Sequence, residues 1–243
     1  MRLTEKIRKV ATGNALKSAQ RHSRRLLKPL RGPARLDAET IMATIDQEQF
    51  EIIRRRYQVD DPGGDPPKYL DWRTWLSYNI RRIRALDLDR GRARRVLDIG
   101  CGSGYFLYIC KLLGHEILGL DLGDMEMFNE MTRLLAVPRA VWRIKAFEPL
   151  PDLGAPFDAV SAHLICFNDH KHANLWGPAE WDFFLDDLKR HLRPRAQLWF
   201  EFNQEWDGTY YTPELKAFFE KRGATVNGNQ VVFRAPPRAL ASA

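Results

Sequence analysis

Apolar positions recur along this chain with two different periods, and the change between them falls near residue 94. From Ala38 to Tyr57, the residues Ile41, Ile45, Phe50, Ile52 and Ile53 recur at roughly helical spacing with charges clustered between them, which predicts a helix. The stretch D-D-P-G-G-D-P-P, residues 60–67, comes next; regular elements do not tolerate it, so a loop or linker is predicted there. In K-Y-L-D-W-R-T-W-L-S-Y-N-I-R-R-I-R-A-L, Trp72, Trp75, Leu76, Asn79, Ile80 and Ile83 then share one side of a second helix, with arginines opposite.

Beyond this point apolar strand-like runs alternate with amphipathic helices. R-V-L-D-I (95–99) precedes a helix from about Ser103 to Leu113, and E-I-L-G-L-D (116–121) precedes a helix marked by Met127, Phe128, Met131, Leu134 and Leu135. That helix must stop near Pro138, because proline cannot extend the hydrogen-bond ladder. A-V-W-R-I, F-D-A-V-S-A and Q-L-W-F-E-F supply three more strands. Between the last two, Pro178 starts a helix with Trp181, Phe184, Leu185, Leu188 and Leu192 on one face. A helix over about 213–222 leads into T-V-N-G-N-Q-V-V-F, where Asn-Gly between apolar runs signals a hairpin. The pattern predicts an α/β fold: a doubly wound, mainly parallel, seven-stranded sheet closed by a C-terminal antiparallel hairpin and preceded by a helical extension.

The first strand runs into V-L-D-I-G-C-G-S-G-Y-F, residues 96–106, where Gly100, Gly102 and Gly104 follow Asp98 closely. In a doubly wound sheet, ligands bind at the carboxyl ends of the strands, so this turn is well placed for a nucleotide. The dinucleotide fingerprint is G-x-G-x-x-G; here the spacing is G-x-G-x-G with a carboxylate two residues ahead. A carboxylate facing a pyrophosphate is repelled by ~1 kcal/mol in water at about 4 Å, and by more in a partly buried cleft. The loop therefore suits a cationic ligand, and the sulfonium and amino group of S-adenosylmethionine have that character.

These residues resemble the first motif of class I S-adenosylmethionine-dependent methyltransferases. L-G-L-D-L (118–122) resembles the family's second-strand motif, and P-F-D-A-V-S-A (156–162) its fourth-strand motif. L-K-R-H-L-R-P-R-A-Q-L-W-F-E is similar to the helix, turn and fifth strand that follow, so the resemblance covers about residues 94–234. It implies that Asp98 takes the methionine amino group, that Gly100, Cys101 and Gly102 line the methionine and sulfonium, that Asp121 binds the ribose hydroxyls, and that Leu122 packs on the adenine. Where many relatives place an acid after the third strand, this chain has Ala146 and Phe147, so the adenine is expected to meet backbone groups and the Phe147 ring.

In the family the acceptor meets the cofactor near the end of the fourth strand, here followed by H-L-I-C-F-N-D-H-K-H-A-N-L-W-G-P, residues 163–178. His163 is the candidate catalytic base, with a hydrogen-bonded structural histidine as the alternative reading. His170 and His172 lack a convincing third ligand, so no metal is expected. Trp176, Trp72, Trp75 and Tyr78 either wall an acceptor pocket or belong to the core, and Arg73 either meets the cofactor carboxylate or is solvated. The short chain after the fifth strand leaves cover to residues 36–87 and 163–178, which favours a small or medium-sized acceptor.

Charge changes the picture at one end only. Residues 1–35 hold 11 Lys and Arg against Glu5 alone, a net of +10, whereas the rest of the chain carries −3. The expected organisation is a basic, flexible arm (1–35), a helical cap (36–90), a methyltransferase domain (91–235) and a tail (236–243). The arm offers phosphates of RNA or an anionic membrane surface a partner; its composition also fits an organellar transit peptide, although Glu5 and a weak amphipathic pattern count against that. An RNA methyltransferase using this arm is thus the alternative to a small-molecule enzyme; a non-catalytic cofactor-binding scaffold and a nicotinamide-dependent oxidoreductase are the others. Cys101, Cys110 and Cys166 form no pairing pattern, which points to a reducing compartment and a cytoplasmic protein. No apolar run approaches the ~20 residues of a membrane helix.

Overall fold

Apolar residues on both faces of the central strands produce a sheet covered on both sides. In the computed structural model the described residues are 36–58, 67–167 and 174–239. The basic arm, most of the 60–67 loop, Asn168, Asp169, His170 and His172, and the end of the tail lie outside them.

Among the described residues the helices are α1 (Ala38–Met42), α2 (Gln47–Tyr57), α3 (Trp72–Ala85), α4 (Tyr105–Leu112), α5 (Glu126–Leu134), α6 (Pro178–Lys189) and α7 (Pro213–Lys221), with one 3₁₀ turn at Pro67–Leu70. The strands are β1 (Arg95–Ile99), β2 (Glu116–Asp121), β3 (Arg139–Val141), β4 (Phe157–Ile165), β5 (Leu192–Phe202), β6 (Thr225–Asn227) and β7 (Gln230–Phe233). They form one seven-stranded sheet in the order β3-β2-β1-β4-β5-β7-β6. The five strands β1 to β5 pair in parallel, while β7 is antiparallel to both β5 and β6, as the Asn-Gly turn signal predicts. None of the described helices is long and apolar enough to cross a membrane.

Two local differences from the sequence reading have clear causes. The helix expected over 38–57 is two helices, because Asp46 caps the second by accepting a hydrogen bond from Gln49 N at 3.0 Å. The third strand ends at Val141 and not at Ile144. Trp142 N still donates to Asp121 O at 2.9 Å, after which the chain leaves the sheet.

Side chains alternate across the strands, and this alternation positions the site. Leu97 and Ile99, Val160 and Ala162, and Leu198 and Phe200 face the core formed with α6 and α7. Val96, Ala159 and Trp199 face the opposite core, where Leu76, Ile80 and Ile83 of α3 pack with Phe106 and Ile109 of α4. The N-terminal helices thus belong to the covering layer of one face. By the same two-residue period, Asp98, Ser161, His163 and Glu201 lie on that face too, with His163 and Glu201 in register across β4 and β5.

The glycine loop sits tightly on β2. A Cβ added to Gly119 would lie 2.6 Å from Cys101 Sγ and 3.2 Å from Leu107 Cδ1. The variant Gly119→Ala should therefore cost about 1–3 kcal/mol in urea unfolding through overpacking. Adding Cys101→Ala should relieve part of that cost, so that the double variant loses less than the sum of the singles. Strict additivity would show that the Cys101 contact is not the cause.

Candidate functional site

The loop after β1 turns through conformations that an L side chain rarely adopts: Gly100 has φ 70° and Gly102 φ 51°. Gly100 N donates to Leu120 O at 2.7 Å, which holds the turn against the end of β2. Asp121 completes the attachment. Its Oδ2 accepts from Gly102 N at 2.6 Å and its Oδ1 from Leu122 N at 2.8 Å. Each carboxylate oxygen retains further acceptor capacity, so this role leaves Asp121 able to take a ligand's hydroxyls.

Asp98 is only 3 % exposed, and its Oδ1 accepts from Ser161 Oγ at 2.6 Å. Burial raises its pKa to about 7; the Ser161 hydrogen bond and the Arg82 charge pull it down, while Asp121 and Glu201 push it up. The Cys101 thiol beneath the loop is pushed well up by burial and by Asp121 and Asp98, so it is neutral and has no nucleophilic character.

Behind Asp98 stands a polar network that the sequence reading missed. Arg82 of α3 pairs with Glu201 through Nη2 at 2.6 Å and Nε at 2.8 Å, both side chains being about nine-tenths buried. Arg82 Nη1 also donates to Asn79 Oδ1 at 3.1 Å, and Trp199 Nε1 donates to Glu201 Oε1 at 3.2 Å. Burial opposes the charge on Glu201, but His163 and Arg82 outweigh it and hold the pKa at about 2. His163 Nδ1 lies 3.3 Å from Glu201 Oε2, and its ring meets Phe106 edge-on at 4.8 Å. Burial, opposed by Glu201, lowers the His163 pKa to about 4, so the imidazole is neutral near pH 7. The missed residues left one signal in the sequence: Ser161 stands two residues before His163 in β4, and Glu201 is a lone acid within the apolar run L-W-F-E-F of β5.

Two cavities meet at Gly100 and Asp121. One, of about 460 Å³, extends past Leu122 to Trp142, Arg143, Ile144, Lys145, Phe167 and Trp176. The other, of about 580 Å³, is lined by Asp98, Cys101, Gly102, Phe106, Tyr69, Trp75, Arg82 and His163. Both fall within the usual size range of small-molecule sites. Asp98, Gly100, Cys101, Gly102, Asp121, Leu122 and His163 are therefore brought together around one cleft. Ala146 and Phe147 line neither cavity. Ala146 packs against the core beside α6, and Phe147 is 54 % exposed with its ring against Phe183. Because β3 ends early, Trp142 to Lys145 occupy the wall expected for them. Arg73 is also elsewhere: it bonds Glu39 Oε1 at 2.9 Å and stacks over Trp72.

The residues present fit S-adenosylmethionine. A buried carboxylate with a raised pKa calls for a cation, Asp121 has acceptor capacity beside the bare loop, and an apolar wall adjoins it at Leu122 and Trp142.

Comparison with known proteins places this geometry. Residues 96–195 match the family model described as "Methyltransferase domain". A tRNA U34 carboxymethyltransferase of Idiomarina loihiensis is 32% identical over 134 residues, covering 53% of this chain and 38% of the relative. A dTDP-4-amino-2,3,4,6-tetradeoxy-D-glucose N,N-dimethyltransferase of Saccharopolyspora spinosa is 26% identical over 125 residues, covering 51% of this chain and 44% of the relative. The chain thus spans less than half the length of the curated relatives it matches. Among solved structures, an amino pentose methyltransferase from Micromonospora echinaspora, bound to S-adenosylmethionine, is similar at 25% identity with a TM-score of 0.40, over 58% of this chain and 53% of that one. The matched segment, 100 of the 243 residues, together with the glycine loop and the strand order, makes this chain similar to class I, S-adenosylmethionine-dependent methyltransferase domains.

Proposed function

We propose that the protein transfers a methyl group from S-adenosylmethionine to a small or medium-sized acceptor. The observation that carries this reading is the pairing of a buried, high-pKa Asp98 with Asp121 on either side of the glycine loop. Asp98 holds the amino group of the methionine part, Gly100, Cys101 and Gly102 border it, and Asp121 accepts from the ribose hydroxyls. Leu122 and Trp142 cover the adenine side. S-adenosylmethionine, when bound, supplies an electrophilic methyl on a positively charged sulfur. The acceptor enters the second cavity, where His163 is the neutral base that takes its proton if it has one to lose, and the aromatic walls exclude water.

A second reading has its own support. Relatives named for tRNA match this chain, and residues 1–35 carry +10, which suits a phosphate backbone. RNA binding with a steep salt dependence that is lost on deleting residues 1–35 would favour an RNA acceptor; no RNA binding at low salt would remove it.

Isothermal titration with S-adenosylmethionine and S-adenosylhomocysteine should show binding that Asp121→Ala weakens about a hundredfold or more, as expected for two lost hydrogen bonds to a charged group. Equal binding by the variant would remove the ribose assignment, and no binding by the parent would remove the function. The pH profile of binding has a definite sign. Free Asp98 titrates at about 7, whereas a cation stabilises its carboxylate, so binding must expel a proton below pH 7. Affinity should rise up to tenfold per pH unit on approaching about pH 7 and then level off, and Asp98→Asn should flatten the profile; a flat profile in the parent would contradict the role of Asp98. Replacing His163 by alanine should lower kcat about a hundredfold or more while leaving cofactor Kd unchanged, in turnover assays across a broad acceptor panel. Unaltered kcat would make His163 a structural residue.

A further inference from the structure

A third cavity, of about 460 Å³, opens at the other end of the sheet and takes no part in the reading above. It is lined by Arg92 and Arg94 from the segment entering β1, Arg193 and Arg195 at the start of β5, and Asp158 and Gln197 between them. Four guanidiniums and one carboxylate leave a net charge of +3 in a body whose residues 36–243 sum to −3. Like charges do not gather against that background without a cost, which an anionic ligand would offset.

Three of the four arginines have partners at this end of the sheet. Asp158 is 14 % exposed at its side chain; its Oδ1 contacts Arg92 Nη2 at 3.3 Å and its Oδ2 contacts Arg193 Nε at 3.6 Å. The same Oδ2 accepts from Arg95 N at 2.9 Å, which fixes the carboxylate to the sheet. Arg94 Nη1 reaches Leu86 O at 3.2 Å and Gln197 Oε1 at 3.4 Å, with no carboxylate partner among the described residues. Arg195 has no ion pair among the described residues. Arg193 Nε also donates to Pro156 O at 3.2 Å, and all four arginines line the one cavity. A guanidinium fork matches two oxygens of a phosphate, and forks converging from two segments match a group with three or four such oxygens.

We infer that this cavity binds a phosphate group, carried either by a small phosphate ester or by the backbone of a nucleic acid. The site is distinct from the methyl-donor cleft. Arg94 precedes β1 and Gly100 follows it, so the two sites lie at opposite ends of the same strand, on the order of 20 Å apart at about 3.3 Å per residue. The inference does not rest on methyl transfer and stands or falls separately from it.

The test uses the full chain, with inorganic pyrophosphate and a short single-stranded RNA as probes, titrated at low salt. The comparison is the triple variant Arg92→Ala, Arg193→Ala, Arg195→Ala; the side chains of Arg92 and Arg193 are 81 and 48 % exposed, so their loss does not unpack the core. An unchanged far-ultraviolet circular dichroism spectrum and urea-unfolding midpoint serve as the check that the variant is folded. Pyrophosphate affinity should fall at least tenfold. For RNA, the slope of log K against log salt should become shallower by about 2, at ~0.7 per lost phosphate contact. The corresponding triple lysine variant should keep the salt slope while binding less tightly, because it retains the charge and loses the forks. RNA binding without pyrophosphate binding identifies a nucleic-acid backbone as the source, and the reverse identifies a small phosphate ester; either supports the site. Equal binding by the parent and the alanine variant, or no binding of either probe by the parent, overturns it.

Discussion

The buried carboxylate of Asp98 is the constraint around which the site is arranged. A carboxylate taken out of water must be neutralised, paired or protonated, and among the described residues the Ser161 hydroxyl is its direct partner. The group consequently stands near its titration midpoint at neutral pH, which is an unfavourable condition for a folded protein unless something else completes it. The neighbouring turn supplies the room. Gly100 and Gly102 bend away from β1 without side chains, and Asp121 fixes that bend from the adjacent strand. Space, an unsatisfied charge and a second carboxylate therefore converge at the carboxyl ends of β1 and β2, where a doubly wound sheet splays its connections.

The N-terminal helices have a larger part in this than a covering role suggests. Helix α3 packs Leu76, Ile80 and Ile83 into the core, and that packing carries Arg82 to Glu201 beneath the strand face. Such a pair gains little net stability, because desolvation offsets most of its attraction, but removing one partner leaves a charge stranded and costs about 3–5 kcal/mol. The energetic asymmetry ties the position of α3 to the site: it cannot shift without exposing or stranding an ion. Because Tyr69 and Trp75 flank the same cavity, the segment that seals the cleft is anchored by the same network that holds His163 beside Glu201.

How much of this was legible in the sequence follows from the physics of each feature. The strands, their alternation with helices and the terminal hairpin were readable because apolar period and turn chemistry are local. The loop from Asp98 to Gly104 and the acid at Asp121 were readable because a strand, its turn and the end of the next strand have fixed spacing. Asn79, Arg82, Ser161 and Glu201 were not found, since their partnership spans α3, β4 and β5, up to 119 residues apart in the chain. The polar residues within the apolar runs of β4 and β5 hinted at it, but only the register shows that His163 and Glu201 are neighbours. Ala146 and Phe147 were misplaced for a different reason. A-V-W-R-I has strand composition throughout, yet pairing with β2 stops at Val141, and an edge strand's length depends on its partner more than on its own residues.

The charges on this face also explain why its ionisable groups separate so widely. Asp98, Glu201 and His163 share the neighbourhood of a single guanidinium, Arg82, which can satisfy one carboxylate by direct contact. Glu201 receives it and titrates at about 2, His163 is kept neutral by burial, and Asp98 is left to the weaker help of a hydroxyl and a more distant charge. With Asp98 ionised, Asp98, Glu201, Arg82 and neutral His163 carry a net −1, to which Asp121 adds a further negative charge at the loop, and a positive group of a ligand offsets part of this. The linkage follows with a fixed sign. A folded-state pKa above the unfolded value of about 4 means that Asp98 contributes stability below pH 4, and that this contribution is lost as pH rises through about 7. A cationic ligand reverses the loss over the same interval by returning the folded-state pKa of Asp98 toward its ordinary value. The cost of leaving Asp98 without a cationic partner is thus converted into binding affinity at the pH where the carboxylate is ionised, and the direct contact of Arg82 with Glu201 leaves Asp98 only the more distant effect of that charge.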